Sequence, residues 1–181
     1  MAEPDPVAVL NAATVLFTAA QVDAALDRMA EQIAARLASV EPVVLAVMNG
    51  GMFTAAEICK RLRIPFEFDY VHATRYGQST TGRDIDWRVP PPASLRGRAV
   101  LVVDDVLDRG VTLAALIERL NAVGVGRLNT AVLIRKHFDP PVMRPDVDFV
   151  GLETGDHYLF GRGMDYMGFW RGLPEIYGVD Q

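Results

Sequence analysis

The chain predicts an α/β fold: a mostly parallel sheet flanked by helices. Three observations lead there. Continuous apolar runs occupy 43–48 and 99–103, stretches of helical periodicity lie between such runs, and glycine-bearing turns end them. A run that is apolar at every position and rich in β-branched residues suits a strand buried on both faces, which is what crossover helices impose on a parallel sheet.

The first predicted element is a helix beginning after Thr18. Thr18 and Gln21 have capping-box spacing, and Val22, Leu26, Met29, Ile33 and Leu37 recur at helical intervals. Pro42 precedes the strand over 43–48, which Asn49-Gly50-Gly51 ends. A helix over about 53–62 and a strand over about 66–71 follow. The next segment, about 74–92, holds the polar run Tyr76-Gly77-Gln78-Ser79-Thr80-Thr81-Gly82 and closes on Pro90-Pro91-Pro92. A connection this long predicts a functional flap or disorder. The strand over 99–103 enters a turn spanning 104–112. Leu113, Leu116, Ile117 and Leu120 then mark the inner face of a helix, with Gly124 as its C-terminal cap. Strands over 130–134 and 147–152 complete the alternation. Without repeats or linkers, a single domain over 1–181 is expected.

Charge and composition narrow the partners. A net charge of -5 disfavours nucleic acid and anionic membranes, whose binders rely on basic patches. An anionic small ligand must then be held by backbone N–H groups, single basic residues or a metal. The single cysteine, Cys59, excludes an internal disulfide and most cysteine zinc sites, and its apolar helical setting predicts an inert thiol. The N-terminus is acidic where a signal peptide is basic, and no apolar run approaches the ~20 residues of a membrane helix. A cytoplasmic protein is expected.

The most informative segment runs from Val100 to Leu113: two acids, Asp104 and Asp105, and then Asp108-Arg109-Gly110-Val111-Thr112 at the start of a helix. Ligands of open α/β sheets bind beyond the carboxyl ends of strands. A glycine-bearing turn into a helix offers backbone N–H groups and the positive end of a dipole, which suits phosphate. Thr112 is positioned to cap that helix and to donate to a phosphate oxygen. Adjacent carboxylates beside an anion cradle make sense if they face ribose hydroxyls, or a Mg2+ ion that the phosphate ligand brings. An acidic first turn that merely complements the dipole would account for one acid, not three.

This pattern resembles the signature of the type I phosphoribosyltransferases, which transfer phosphoribose from 5-phosphoribosyl-1-diphosphate. The resemblance implies the type I phosphoribosyltransferase fold with a small base-binding hood formed by the N- and C-terminal segments. It also implies that Asp104 and Asp105 bind the ribose hydroxyls, directly or through Mg2+, that 108–112 cradles the 5-phosphate, and that Asp108 is the catalytic proton acceptor. Arg109 and Val111 depart from the family pattern, at positions where phosphate contacts come largely from backbone. The resemblance extends over nearly the whole chain from Val43 onward. Met48-Asn49-Gly50-Gly51 is similar to the pyrophosphate loop of the hypoxanthine-guanine branch, where lysine commonly stands at position 49 and a cis peptide often precedes it. Arg75-Tyr76 resembles the start of the flap, where relatives usually have Ser-Tyr. Lys136 matches the lysine that donates to a purine 6-oxygen, with Arg135 its neighbour if the register slips by one. Tyr158 matches an aromatic that stacks on the base, Leu159 a residue that reads the base edge through its backbone, and Asp165 an acid near the base's 2-position that orders a second Mg2+ through water. Arg171 matches an arginine that contacts pyrophosphate.

The implied activity is purine salvage: transfer to hypoxanthine and/or guanine, giving IMP or GMP and pyrophosphate. The alternatives are a xanthine-guanine enzyme and a non-catalytic nucleotide-sensing regulator on the same fold. A regulator need not keep Asp108, Lys136 or Asp165, and this chain keeps all three. A homodimer or homotetramer is implied by the family's common self-association.

Overall fold

The computed structural model describes residues 5–75 and 85–179. Helix α1 (Pro6–Ala12) starts with Asp5 accepting from the Val7 N–H and proline in its first turn. Strand β1 (Thr14–Phe17) leads to α2 (Ala19–Leu37), whose capping box between Thr18 and Gln21 is fully formed. Strand β2 (Val43–Met48), α3 (Gly51–Arg61), β3 (Glu67–Arg75), β4 (Ile85–Val89) and β5 (Ala99–Leu107) follow. Helix α4 (Val111–Val123) ends at Gly124, whose φ of 83° is the left-handed C-cap expected of glycine. The chain then runs through β6 (Arg127–Lys136), β7 (Phe149–Thr154), β8 (Tyr158–Phe160) and β9 (Ile176–Val179).

Six strands form the main sheet in the order β4-β3-β2-β5-β6-β7, all parallel except β4, which pairs antiparallel with β3. Side-chain alternation divides the core between the two faces. Val44, Ala46, Leu101, Val103, Ala131 and Leu133 pack beneath α2 and α3. Val43, Leu45, Val47, Val100, Val102 and Val132 pack against Leu113, Leu116 and Leu120 of α4. Both faces of β2 and β5 are therefore dry, and each leucine so buried contributes roughly 1.5–3 kcal/mol.

A second sheet of three antiparallel strands, β1-β9-β8, brings the two chain ends together, with Thr14 opposite Gly178 and Leu159 opposite Gly178 from the other side. Arg162 fastens this sheet to α2, its Nη2 lying 3.1 Å from Asp23 Oδ1, and the Trp170 indole N–H donates to the Pro6 carbonyl. No helix among the described residues is long and apolar enough to cross a membrane.

Three local expectations are corrected. The turn expected from residue 104 begins later, because β5 continues through Leu107 and Asp104 and Asp105 belong to the strand. Asp104 still pairs in register with Val132, and Leu107 with Arg135. Thr112 does not cap α4: Gly110 holds the N-cap position at φ 74°, a left-handed conformation that lets the chain turn sharply into the helix. Finally, 85–89, expected within the flap, is strand β4, with Trp87 opposite Ala73. Tyr76 and the polar run that follows it lie outside the described residues.

Candidate active site

Strand order reverses between β2 and β5, and the crevice beyond their carboxyl ends is where an open α/β sheet binds ligands. Two adjoining lobes open there, each of about 250 Å3. Gly50, Asp104, Asp105, Asp108, Gly110, Val111 and Thr112 line the first. Asp105, Asp108, Lys136, Tyr158, Leu159 and Asp165 line the second, so Asp105 and Asp108 are walls of both.

Close backbone approach makes the first lobe. A Cβ on Gly50 would lie 1.7 Å from Asp105 Oδ2, and one on Gly51 would lie 2.7 Å from the Val103 carbonyl oxygen. The β2–α3 turn thus presses directly on the acidic end of β5. The peptide between Met48 and Asn49 is cis, as the resemblance implied. Gly163 of the hood completes the junction, since a Cβ there would meet the Gly50 carbonyl oxygen at 2.2 Å.

Asp104 accepts from the Asp105 N–H at 2.9 Å, and Asp105 from the Val106 N–H at 2.9 Å. Burial pushes both carboxyls up, Asp104 well above the ordinary 3.8, and the neighbouring Asp105 carboxyl pushes Asp104 further. Both keep some solvent contact through the crevice, which limits that penalty. These residues fit a cation, because positive charge beside them would relieve what burial and mutual repulsion impose. Among the described residues, no three His, Cys, Asp or Glu converge on a metal position. Ligand oxygens and water would have to complete the shell, which is the usual manner of binding Mg2+.

The second lobe is organised by Lys136, only 7% exposed, at the end of β6. Its Nζ stands 3.6 Å from Asp108 Oδ1 and 3.4 Å from Asp156 Oδ1, so the ammonium is held between two carboxylates. Leu159 is buried on β8. Tyr158 beside it is 38% exposed, lines the lobe, and meets Tyr166 in a T-shaped contact at 5.3 Å. Burial, and then the Asp165 carboxylate, push the Tyr158 phenol up, so the ring stays neutral. Asp165 accepts from the Gly168 N–H and pairs with Arg171 at 2.6 Å.

Asn49, Arg109 and Arg171 stand outside the walls of both lobes. Arg171 donates to the Gly163 carbonyl at 2.6 Å, beside the junction with Gly50. Arg109 lays its guanidinium over the Phe138 ring at 5.1 Å. Arg135, the alternative to Lys136, pairs with Glu153 and is not among the walls of the base lobe, as alternation along a strand directs neighbours to opposite faces. Arg75 ends β3, paired with Ile85.

Two residues of this region carry no signal in the sequence. Asp156 follows Gly155 in a short connection between β7 and β8, and Arg144 sits in an irregular proline-rich segment. Neither falls in a motif or a periodic pattern, and only tertiary structure brings them to Lys136.

The fold and the crevice together define a phosphoribosyl-transfer scaffold, and the comparisons agree. The family model for the phosphoribosyl transferase domain matches residues 16–166, and the chain belongs to that family. It is 30% identical over 165 residues to a hypoxanthine phosphoribosyltransferase of Salmonella typhimurium, covering 90% of this chain and 92% of that protein. It is 26% identical to a hypoxanthine-guanine phosphoribosyltransferase of Bacillus subtilis, covering 90% of each. A hypoxanthine-guanine phosphoribosyltransferase of Bacillus anthracis superposes with a TM-score of 0.85 at 26% identity, covering 92% of this chain and 98% of that one. A hypoxanthine phosphoribosyltransferase of Staphylococcus aureus shares the fold with a TM-score of 0.87 at 22% identity, covering 98% and 97%.

Proposed function

We propose that the protein transfers the phosphoribosyl group of 5-phosphoribosyl-1-diphosphate to hypoxanthine or guanine, releasing IMP or GMP and pyrophosphate. One observation carries this reading above the rest: the lobe that holds Lys136, Tyr158 and Asp165 shares the walls Asp105 and Asp108 with the lobe at the helix turn. Base and sugar phosphate would therefore meet beside Asp108.

In this reading the N–H groups of 108–112 take the 5-phosphate, helped by the α4 dipole and the Thr112 hydroxyl. Asp104 and Asp105 hold the ribose hydroxyls and, with the donor's own oxygens, Mg2+. When bound, that ion neutralises charge growing on the departing pyrophosphate. Backbone N–H groups at Asn49 and Gly50 and the Arg171 guanidinium add to the same end. Lys136, an obligate donor, bonds the 6-oxygen of hypoxanthine or guanine. The 6-amino group of adenine cannot accept that bond, so adenine is rejected. Tyr158 stacks on the ring, for on the order of 1–3 kcal/mol, Leu159 reads the base edge through its backbone, and Asp165 lies toward the 2-position. As the bond from C1 to pyrophosphate breaks, a ring nitrogen attacks the sugar and Asp108 takes the proton from the opposite nitrogen. Arg75, at the end of β3, stands where the resemblance puts the start of a closing segment, whose exclusion of water would favour transfer over hydrolysis. The whole chain acts as one phosphoribosyltransferase domain, self-associated as a homodimer or homotetramer in the cytoplasm.

The test is a panel of hypoxanthine, guanine, xanthine and adenine with donor, with and without Mg2+, read by chromatography of the nucleotides. IMP or GMP should form only with Mg2+. AMP as the main product, or none from hypoxanthine and guanine, refutes the proposal.

A further inference from the structure

We propose that Arg144 is a positioning residue for the transfer: its guanidinium ties the turn bearing Asp108 to the strand end bearing Lys136, and so fixes the spacing between the proton acceptor and the cation that reads the purine. The proposal rests on the functional reading above.

The need for such a tie follows from the sheet. Parallel pairing between β5 and β6 runs from Ala99↔Arg127 to a last rung at Leu107↔Arg135. Asp108 and Lys136 each lie one residue beyond that rung and are not a paired position of the ladder. Arg144 adds a direct tie at that point. Its Nη1 donates to the carbonyls of Asp108 at 2.7 Å and Leu107 at 3.1 Å, and its Nη2 donates to the carbonyl of Lys136 at 2.5 Å. One side chain thus spans both strand ends and leaves the Lys136 ammonium 3.6 Å from the Asp108 carboxylate.

The guanidinium is itself held in place. It lies 5.7 Å from the centre of the Phe138 ring. Its stem packs so tightly against the turn that a Cβ on Gly110 would meet Arg144 Cβ at 2.8 Å. Arginine is specified here, because three carbonyl oxygens on two elements call for a planar fork of donors and no acceptor. Lysine presents its donors from a single atom and cannot bridge both.

Loosening the tie lets Lys136 close on Asp108 or drift toward Asp156. Either displaces the base relative to its proton acceptor, and a shift of ~1 Å there costs about 100-fold in rate.

Arg144→Ala and Arg144→Lys are compared with the parent for kcat, for KM of donor and base, and for IMP affinity by calorimetry, with circular dichroism and Tm to establish folding. Expected are a kcat/KM for the base lowered about 10- to 100-fold in both, a raised KM for the base, weaker IMP binding, and partial recovery of the alanine variant by millimolar methylguanidinium. Recovery should be absent in the parent. A merely structural residue would lower the active fraction and leave the KM of the remaining enzyme unchanged, and that result overturns the proposal. So do kcat/KM and IMP affinity within about twofold of the parent, well short of the loss a misplaced base implies. If the alanine variant does not fold, the lysine variant decides on the same readings. A parent inactive with every base refutes the transfer reading instead, and IMP affinity still tests the tie.

Discussion

Gly50→Ala probes the junction on which both lobes depend. Gly50 has φ -65° and ψ -47°, ordinary right-handed values, so alanine brings no backbone strain. Its cost is steric alone: the new methyl would lie 1.7 Å from Asp105 Oδ2 and 2.5 Å from Cγ, where contacts below 3.0 Å essentially never occur. The carboxylate or the β2–α3 turn must move by more than an ångström. The turn is pinned from the other side, where the Gly50 carbonyl faces Gly163. Overpacking of this kind destabilises by about 1–3 kcal/mol, and an ångström of misplacement at a reacting centre costs about 100-fold in rate. Steady-state formation of IMP should therefore show kcat/KM for the donor falling by about that factor, with a modest fall in Tm. Gly172→Ala is the control, because a methyl there meets nothing within 4 Å. Near-parental kinetics for Gly50→Ala would refute the claim that Gly50 is required for the approach to Asp105.

Other perturbations test the remaining parts. Asp108→Asn should leave donor affinity, measured by calorimetry, largely intact and lower kcat by about 100-fold or more; near-normal turnover would remove Asp108 from its role. Asp104 titrates above its ordinary 3.8 because of burial, so the folded chain binds that proton more tightly than the unfolded one. Stability of the Mg2+-free protein then falls as pH rises from about 3.8 through the higher folded value. Asp104→Asn should raise Tm at neutral pH and flatten that dependence while lowering turnover, as thermal scans across pH will show. Burial pushes the Cys59 thiol up to about 11, so alkylation of the folded protein at neutral pH should be slow and should accelerate in urea.

The chain makes some of this legible and hides the rest for physical reasons. Strands β2 and β5 are readable because burial on both faces forces an unbroken apolar run, and α2 because Thr18 and Gln21 announce its start. Strand β1 is short, half exposed, and paired with a strand at the far end of the chain, so no local pattern marks it. Strand β5 outruns its apolar signal because Asp104 and Asp105 have poor strand propensity yet lie where a ligand, not packing, sets the residue type. The acids, Lys136 and Tyr158 stand out through motif spacing. Asp156 reaches Lys136, and Arg144 reaches Leu107 and Asp108, across long stretches of chain, which no spacing encodes.

A structure of the protein with IMP and Mg2+ decides whether the two lobes hold one nucleotide between them. The 5-phosphate should lie against the N–H groups of 108–112, with Tyr158 over the base and Lys136 Nζ within hydrogen-bond reach of the 6-oxygen. A nucleotide bound with its phosphate away from that turn, or with Lys136 still turned to Asp156 and the 6-oxygen unmet, would contradict it.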